Sequence, residues 1–177
     1  MAASRHDSVD TKVIANRSGQ AALEFAIVAT LILLLMFALV DFGRALNCKQ
    51  VMIGLTRQGS NLASRGNTLS DSAAAVVAGD APLDLSRNGE VIVTSVININ
   101  KIYVITGQAS RGGILQSSKI GPGVGNVATV PPAAANMLQT GQTIYVTEIF
   151  YSYQPITPIG NFMKIAIPST LYEAAYF

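Results

Sequence analysis

The sequence predicts an α+β fold in which a long N-terminal helix packs on a small antiparallel β-sheet. Residues 21–40 form an apolar run long enough for a helix that crosses a bilayer. Apolar residues then recur at steps of three and four as far as Leu62, which indicates that the same helix continues. From Gly89 onwards, β-branched runs separated by Gly, Pro and Asn predict strands and turns.

The composition argues against several classes of protein. Half of the residues are hydrophobic and 12% are charged, against about 25% charged in an ordinary soluble domain. The formal net charge is +2, and the basic residues are scattered, so we expect no nucleic acid partner. Cys48 is the only cysteine and His6 the only histidine. Since thiolate and imidazole sites need more than these two residues offer, we expect no catalytic residue, no metal and no cofactor.

The apolar run is best interpreted as a retained transmembrane helix. Its 20 residues include one charge, Glu24, and one other polar residue, Thr30, and as a helix they span about 30 Å. A buried core helix would keep a polar face, and a secretory signal peptide has a shorter apolar core of about 7–15 residues before its cleavage site. Three basic residues precede the run, but Arg44 and Lys49 follow it. The positive-inside bias therefore only slightly favours a cytoplasmic N-terminus.

Glu24 is the unusual residue of this run. A carboxylate at the centre of a membrane helix costs about 3 kcal/mol, and such residues are usually functional or paired. Near the start of the helix, however, the helix dipole and the headgroup water both favour an anion. Either interpretation is compatible with this position considered alone.

The residues around Glu24 resemble a known processing site. Arg17-Ser18-Gly19-Gln20-Ala21-Ala22-Leu23-Glu24-Phe25 is similar to the processing site of prepilin-like proteins: a basic leader ends in glycine, and a glutamate is the fifth residue after it. The longer stretch GQAALEFAIVATLILLLMFALVDFGRA resembles the start of TadE/TadF-type pseudopilins of tight-adherence (Tad, or Flp) pilus systems. This resemblance covers residues 17 to 66 well and the remainder in outline, where it implies a pilin-like fold.

The resemblance implies that a prepilin peptidase cuts between Gly19 and Gln20. Residues 1–19 would be the leader, and Glu24 would be the fifth residue of the mature chain, where it can neutralise the new terminal ammonium. Glu24 and Phe25 are thus the expected assembly residues. The more familiar class of pilins has Phe or Met directly after the cut, so Gln20 puts N-methylation in doubt.

The same resemblance implies partners and a location. The partners are the prepilin peptidase, other pilin or pseudopilin subunits, an inner-membrane assembly platform and the lipid bilayer. The chain would be a single-pass protein of the bacterial inner membrane, with a cytoplasmic N-terminus and a periplasmic C-terminal domain, before incorporation into an extracellular pilus.

The pattern after the apolar run predicts one continuous helix from Gln20 to Arg65. Its apolar stripe is either the core face against a sheet, which we favour, or a seam with other pilin helices, and Gly66 is the expected C-cap. Cys48 on this stripe is best read as a small buried hydrophobe, with an intermolecular disulfide as the alternative. The stripe consists of Ala45, Cys48, Met52, Leu55, Gly59 and Leu62.

Four segments are therefore expected: the leader 1–19, the span 20–40, the extramembrane helix 41–66 and an α+β domain 67–177. Residues 1–18 of the leader show no pattern that predicts regular structure. The domain contains a short helix ending at Gly79, a hairpin, a Gly/Pro-rich loop over 109–141, a central strand over 142–155 and a C-terminal edge strand. Glu148 and Glu173 lie on the two last strands, where a carboxylate pair is conceivable, although solvated or hydrogen-bonded charges are the better interpretation.

The sequence thus favours a structural subunit, a minor pilin or pseudopilin for assembly of a Tad-type pilus or a related secretion machine. The alternative is an uncleaved, membrane-anchored protein that binds a periplasmic ligand through the loop 109–141. A membrane-tethered enzyme is disfavoured because no nucleophile, base or metal constellation is present.

Overall fold

In a computed structural model the chain folds into a long helix packed on a four-stranded antiparallel sheet, which confirms the predicted α+β fold. The structure describes residues 7–136, 138–160 and 167–177, with side chains from residue 19 onwards. The helices are α1 (Asp7–Ser64), α2 (Leu69–Ala78), α3 (Leu85–Asn88) and α4 (Pro132–Ala135). The strands are β1 (Gly89–Ile99), β2 (Ile102–Gly112), β3 (Thr143–Ser152) and β4 (Thr170–Tyr176).

The two ends of α1 differ in how well they were predicted. The helix begins at Asp7. The expectation that the leader lacks regular structure is therefore wrong for residues 7–18. Residues 1–6 of the leader, which include His6, lie outside the described residues. The helix ends at Ser64, as the glycine signal predicted. Gly66 adopts φ +96°, and the Asn67 amide donates to the Leu62 carbonyl over 3.3 Å. Glycine has no Cβ to oppose this left-handed conformation.

The apolar stripe of α1 is the core face, as favoured. Five of its six predicted members are buried, whereas Leu62 is half-buried and Ala63 lies in the core beside it. Their main partners come from β3 and β4 and from α2. The buried members of the stripe are Ala45, Cys48, Met52, Leu55 and Gly59.

The sheet has the strand order β2-β1-β3-β4, so β1 and β3 are central and β4 is an edge strand, as predicted. The predicted hairpin is β1–β2, and its turn contains Asn100 and Lys101, both with positive φ. Side chains alternate along β3. Ile149 faces α1, whereas Val146 faces the opposite side of the sheet.

The segment after β2 covers that opposite side. Ile120 and Ala128 are buried against Val96, Ile105 and Val146 and form a second, smaller core. Strand β2 extends to Gly112, and a single bridge joins Val127 to β2. Because the Gly/Pro-rich segment has its own buried residues, it acts as a cover of the sheet.

Candidate functional site: the N-terminal part of the long helix

The first part of α1 is apolar, and no described part of the chain covers it. None of the side chains of residues 19–40 is buried, and an 18-residue window within the helix has a mean hydropathy of 2.7. An apolar surface of this length far exceeds the patches that soluble monomers expose. The helix fits a single-pass membrane protein.

The expected processing residues lie at the start of this exposed stretch. Gly19 is exposed within the helix, and a Cβ added there would meet nothing within 4 Å. The Gln20 side-chain amide donates to the Glu24 carboxylate over 3.0 Å, one helical turn away. Phe25 is 74% exposed. The structure therefore brings Gln20 and Glu24 together and leaves Gly19 and Phe25 exposed.

The exposed stretch ends at Asp41, which is fully buried. Its carboxylate accepts hydrogen bonds from the Ile156 amide, at 3.0 Å, and from the Thr157 hydroxyl. The Tyr153 hydroxyl donates to the Asp41 carbonyl over 2.7 Å. Burial acts to raise the pKa of the Asp41 carboxyl, but the bonds from Thr157 and Ile156 outweigh it, so this pKa lies below its ordinary value.

The Asp41 contacts tie α1 to the segment that follows β3. They join residues that are 112 to 116 positions apart in the chain. This role of Asp41 was not predicted from the sequence. The only available signal was an acidic residue directly after an apolar run, which does not identify the partners.

Glu148 is a second buried carboxylate that the sequence did not resolve. It accepts bonds from the Lys119 amide at 2.9 Å, from the Tyr172 hydroxyl at 3.0 Å and from the Ser118 hydroxyl. Burial, reinforced by the Glu148 charge, raises the pKa of Tyr172. Lys119 also places its ammonium 3.7 Å from the centre of the Tyr172 ring. Glu148 thus holds the Gly/Pro-rich cover on the sheet.

Glu173 lies on the other face of the sheet, where it forms an ion pair of 2.7 Å with Lys49 of α1. Since Glu148 is opposite Ala174 and Glu173 is opposite Ile149, the two carboxylates point to different faces. They do not form a pair for acid–base chemistry. In the described part of the chain, no three His, Cys, Asp or Glu side chains come close enough to hold a metal ion.

Comparison with known proteins gives one match. Residues 19–61, about a quarter of the chain, match the model of the family described as TadE-like protein. No protein of curated function and no solved structure matches the chain. The matched residues comprise the exposed apolar stretch, Asp41 and most of the core stripe. The match makes the first and central parts of α1 similar to TadE-like proteins, and it does not extend into the sheet.

Proposed function

The chain carries a TadE-like N-terminal segment, and from this premise we propose that it is a minor pilin or pseudopilin for the assembly of a Tad-type pilus or a related secretion machine. It is made as a precursor, trimmed after Gly19 and anchored by residues 20–40. Residues 41–66 continue the helix outside the membrane and carry the domain 67–177. One observation supports this proposal above all: the family match, over residues 19–61, contains the whole apolar run 21–40, and none of the side chains of that run is buried among the described residues.

Membrane anchoring follows from the cost of leaving this surface in water. Apolar area removed from water contributes about 25 cal/mol per Å², and the residues from Leu23 to Val40 include twelve large hydrophobic side chains that are each more than two-fifths exposed. A bilayer or the helices of other subunits can cover this area. In the precursor the bilayer does so, with the N-terminus cytoplasmic and the domain periplasmic. In the assembly, neighbouring pilin helices do so.

Processing after Gly19 is supported by the local geometry. A protease cleft accepts an extended backbone, so a helical cleavage site must first unwind. Glycine lowers helix stability by about 1 kcal/mol relative to alanine, and Gly19 is exposed, with free space around it among the described residues. Its missing side chain also permits close approach of the peptidase.

Glu24 has a role once the cut is made. The Gln20 nitrogen becomes a terminal ammonium one helical turn from the Glu24 carboxylate, on a helix that lies in an apolar medium. An unpaired charge there is costly, so ammonium and carboxylate pair within one chain or between neighbouring subunits. Phe25 and the residues beyond it then pack against the partner helices and the assembly platform.

The alternative is an uncleaved, membrane-anchored protein that binds a periplasmic or surface ligand through the loop 109–141. The burial of Ile120 and Ala128 and the bonds to Glu148 give this segment a structural task on the sheet. No observation in the described residues favours it as a ligand site over the pilin proposal.

The processing step is tested by Gly19→Val in cells that contain an active prepilin peptidase. Gly54→Val is the matched control, because Gly54 is also an exposed glycine of α1 with free space around its Cα. We expect Gly19→Val to accumulate as the full-length precursor on immunoblots and Gly54→Val to be trimmed like the wild type. Equal trimming of both variants would contradict the assigned cut.

The assembly role is tested by Glu24→Gln, with Thr30→Val as the control. Thr30 is the other polar residue of the apolar run 21–40, and its hydroxyl donates to the Ala26 carbonyl of the same helix. We expect both variants to be trimmed and membrane-inserted. Only Glu24→Gln should be lost from complexes with other pilus subunits after mild solubilisation. Retention of Glu24→Gln at the wild-type level would remove the proposed role of the carboxylate.

A further inference from the structure

The segment that is bonded to Asp41 lies at the point where the apolar run of α1 ends. Residues 154–160, here the exit loop, follow β3, and the loop is fixed to α1 by the bonds from Ile156 and Thr157 to the Asp41 carboxylate. In a helix, the Cα–Cβ bond tilts towards the N-terminus. The Asp41 side chain therefore leads towards the apolar run, and the exit loop lies level with its last turn.

The exit loop presents apolar side chains at this level. Ile156 is 65% exposed, and Pro158 is exposed as well. On α1 itself, Phe42 and Leu46 are each about half exposed just past the apolar run. Arg44 is exposed between them, where an interfacial cation can reach lipid phosphates.

We propose that the exit loop is a second membrane contact, which inserts Ile156 and Pro158 into the headgroup region of the bilayer that residues 20–40 cross. This inference rests on the proposed membrane anchoring. The occupant is lipid because the loop is bonded to Asp41, the first residue after the apolar run, and therefore lies where the membrane-crossing part of α1 leaves the bilayer. Two separate contacts, one helix and one loop, fix the tilt of the domain relative to the membrane.

The chain contains no tryptophan, so a single introduced indole reports one position. The test uses the full chain in phosphatidylcholine vesicles with a minority of phosphatidylglycerol, with or without lipids brominated near the headgroup end of the acyl chains. Ile156→Trp is the main variant, and Pro158→Trp is the second, independent reporter if the first fails to fold.

Val127→Trp is the matched control for exposure. Val127 is 66% exposed, nearly the same as Ile156. Its backbone forms a bridge with Val104 of β2. Val104 pairs with Ile97 of β1, which in turn pairs with Thr143, at the end of β3 that is farther from the exit loop. The ten residues of β3 therefore separate Val127 from the exit loop, a distance of about 30 Å along the strand. Leu34→Trp in the middle of the apolar run tests the anchoring itself, with lipids brominated deep in the chains.

We expect Ile156→Trp to lose roughly half of its fluorescence to shallow bromine, because interfacial segments insert about 5–10 Å into the headgroup boundary. Val127→Trp should be unaffected. If Leu34→Trp is quenched by deep bromine but neither loop variant is quenched, the exit-loop inference fails and the anchoring stands. An unquenched Leu34→Trp overturns the anchoring as well. If the fluorescence emission of a loop tryptophan shifts with protein concentration and brominated lipid does not quench it, the inference is overturned in favour of a protein contact.

Discussion

Gly59 of α1 lies so close to Thr147 of β3 that a Cβ added at Gly59 would stand 2.8 Å from both the methyl carbon and the hydroxyl oxygen of Thr147. Val76 of α2 would be 2.9 Å away. The absence of a side chain at this one position lets the long helix lie flat on the sheet.

The close approach predicts a reversal of the usual effect of alanine in a helix. Gly59→Ala should lower the free energy of unfolding by about 1–3 kcal/mol, the usual cost of overpacking. Gly54→Ala, at an exposed position of the same helix, should raise it by up to about 1 kcal/mol through helix propensity. Denaturant unfolding of the full chain in detergent micelles measures both. A stabilised Gly59→Ala would show that the helix and the sheet are not in contact at this point.

The Asp41 bonds predict a pH-dependent contribution to stability. Asp41→Asn should cost about 1.5–3 kcal/mol at neutral pH, as expected for hydrogen bonds to a charged group. Since the folded state lowers the pKa of Asp41 below its ordinary 3.8, the contribution is complete above that pH. It is lost as the pH falls through the lowered pKa. The gap between the free energies of unfolding of the variant and the wild type should therefore narrow as the pH falls below about 3.8. A gap that is constant down to pH 2 would contradict the account.

Removal of Glu148 and removal of Glu173 should change the free energy of unfolding by very different amounts. Glu148→Ala leaves the donors of Ser118, Lys119 and Tyr172 without their acceptor and should cost about 3 kcal/mol or more. It should also speed proteolytic cleavage within 113–131, the part of the chain that Glu148 holds down. Glu173→Ala removes a half-exposed ion pair and should cost less than about 1 kcal/mol. Similar losses for the two variants would show that the Glu148 bonds do not hold the cover.

Cys48 should be protected from thiol reagents in the folded protein. It is free and buried on the core face of α1, and burial raises the pKa of its thiol. Because the thiolate is the reactive species, modification should require unfolding. A maleimide titration of the full chain in detergent, with and without denaturant, measures this. Rapid labelling of the folded chain, or a disulfide-linked dimer on a non-reducing gel, would restore the intermolecular disulfide as an explanation.

Local and periodic features of the fold were predictable from the sequence. The steps of three and four from Ala45 to Leu62 identified the core face, and the β-branched runs identified the hairpin and the central strand. Gly66 predicted the helix end because only a left-handed residue without a Cβ penalty closes a helix in this way. These signals depend on neighbours in sequence.

The side-chain pairings that hold the elements together were not predictable in this way. Asp41 and Ile156 are 115 positions apart, and Glu148 and Ser118 are 30 apart. Neither pairing produces a periodic pattern in the sequence. A buried carboxylate therefore cannot be distinguished from a solvated one by sequence pattern. The polar leader had no apolar period, and for that reason the helix between residues 7 and 18 was missed. The Gly19, Gln20, Glu24 and Phe25 assignments came from resemblance, and their chemical roles stay predictions.

The most direct test of the central claim is the intact mass of the protein extracted from membranes of cells with an active prepilin peptidase. We expect a mature chain that begins at Gln20 and lacks residues 1–19. A membrane form that retains those residues, under conditions in which a known prepilin is trimmed, would contradict it.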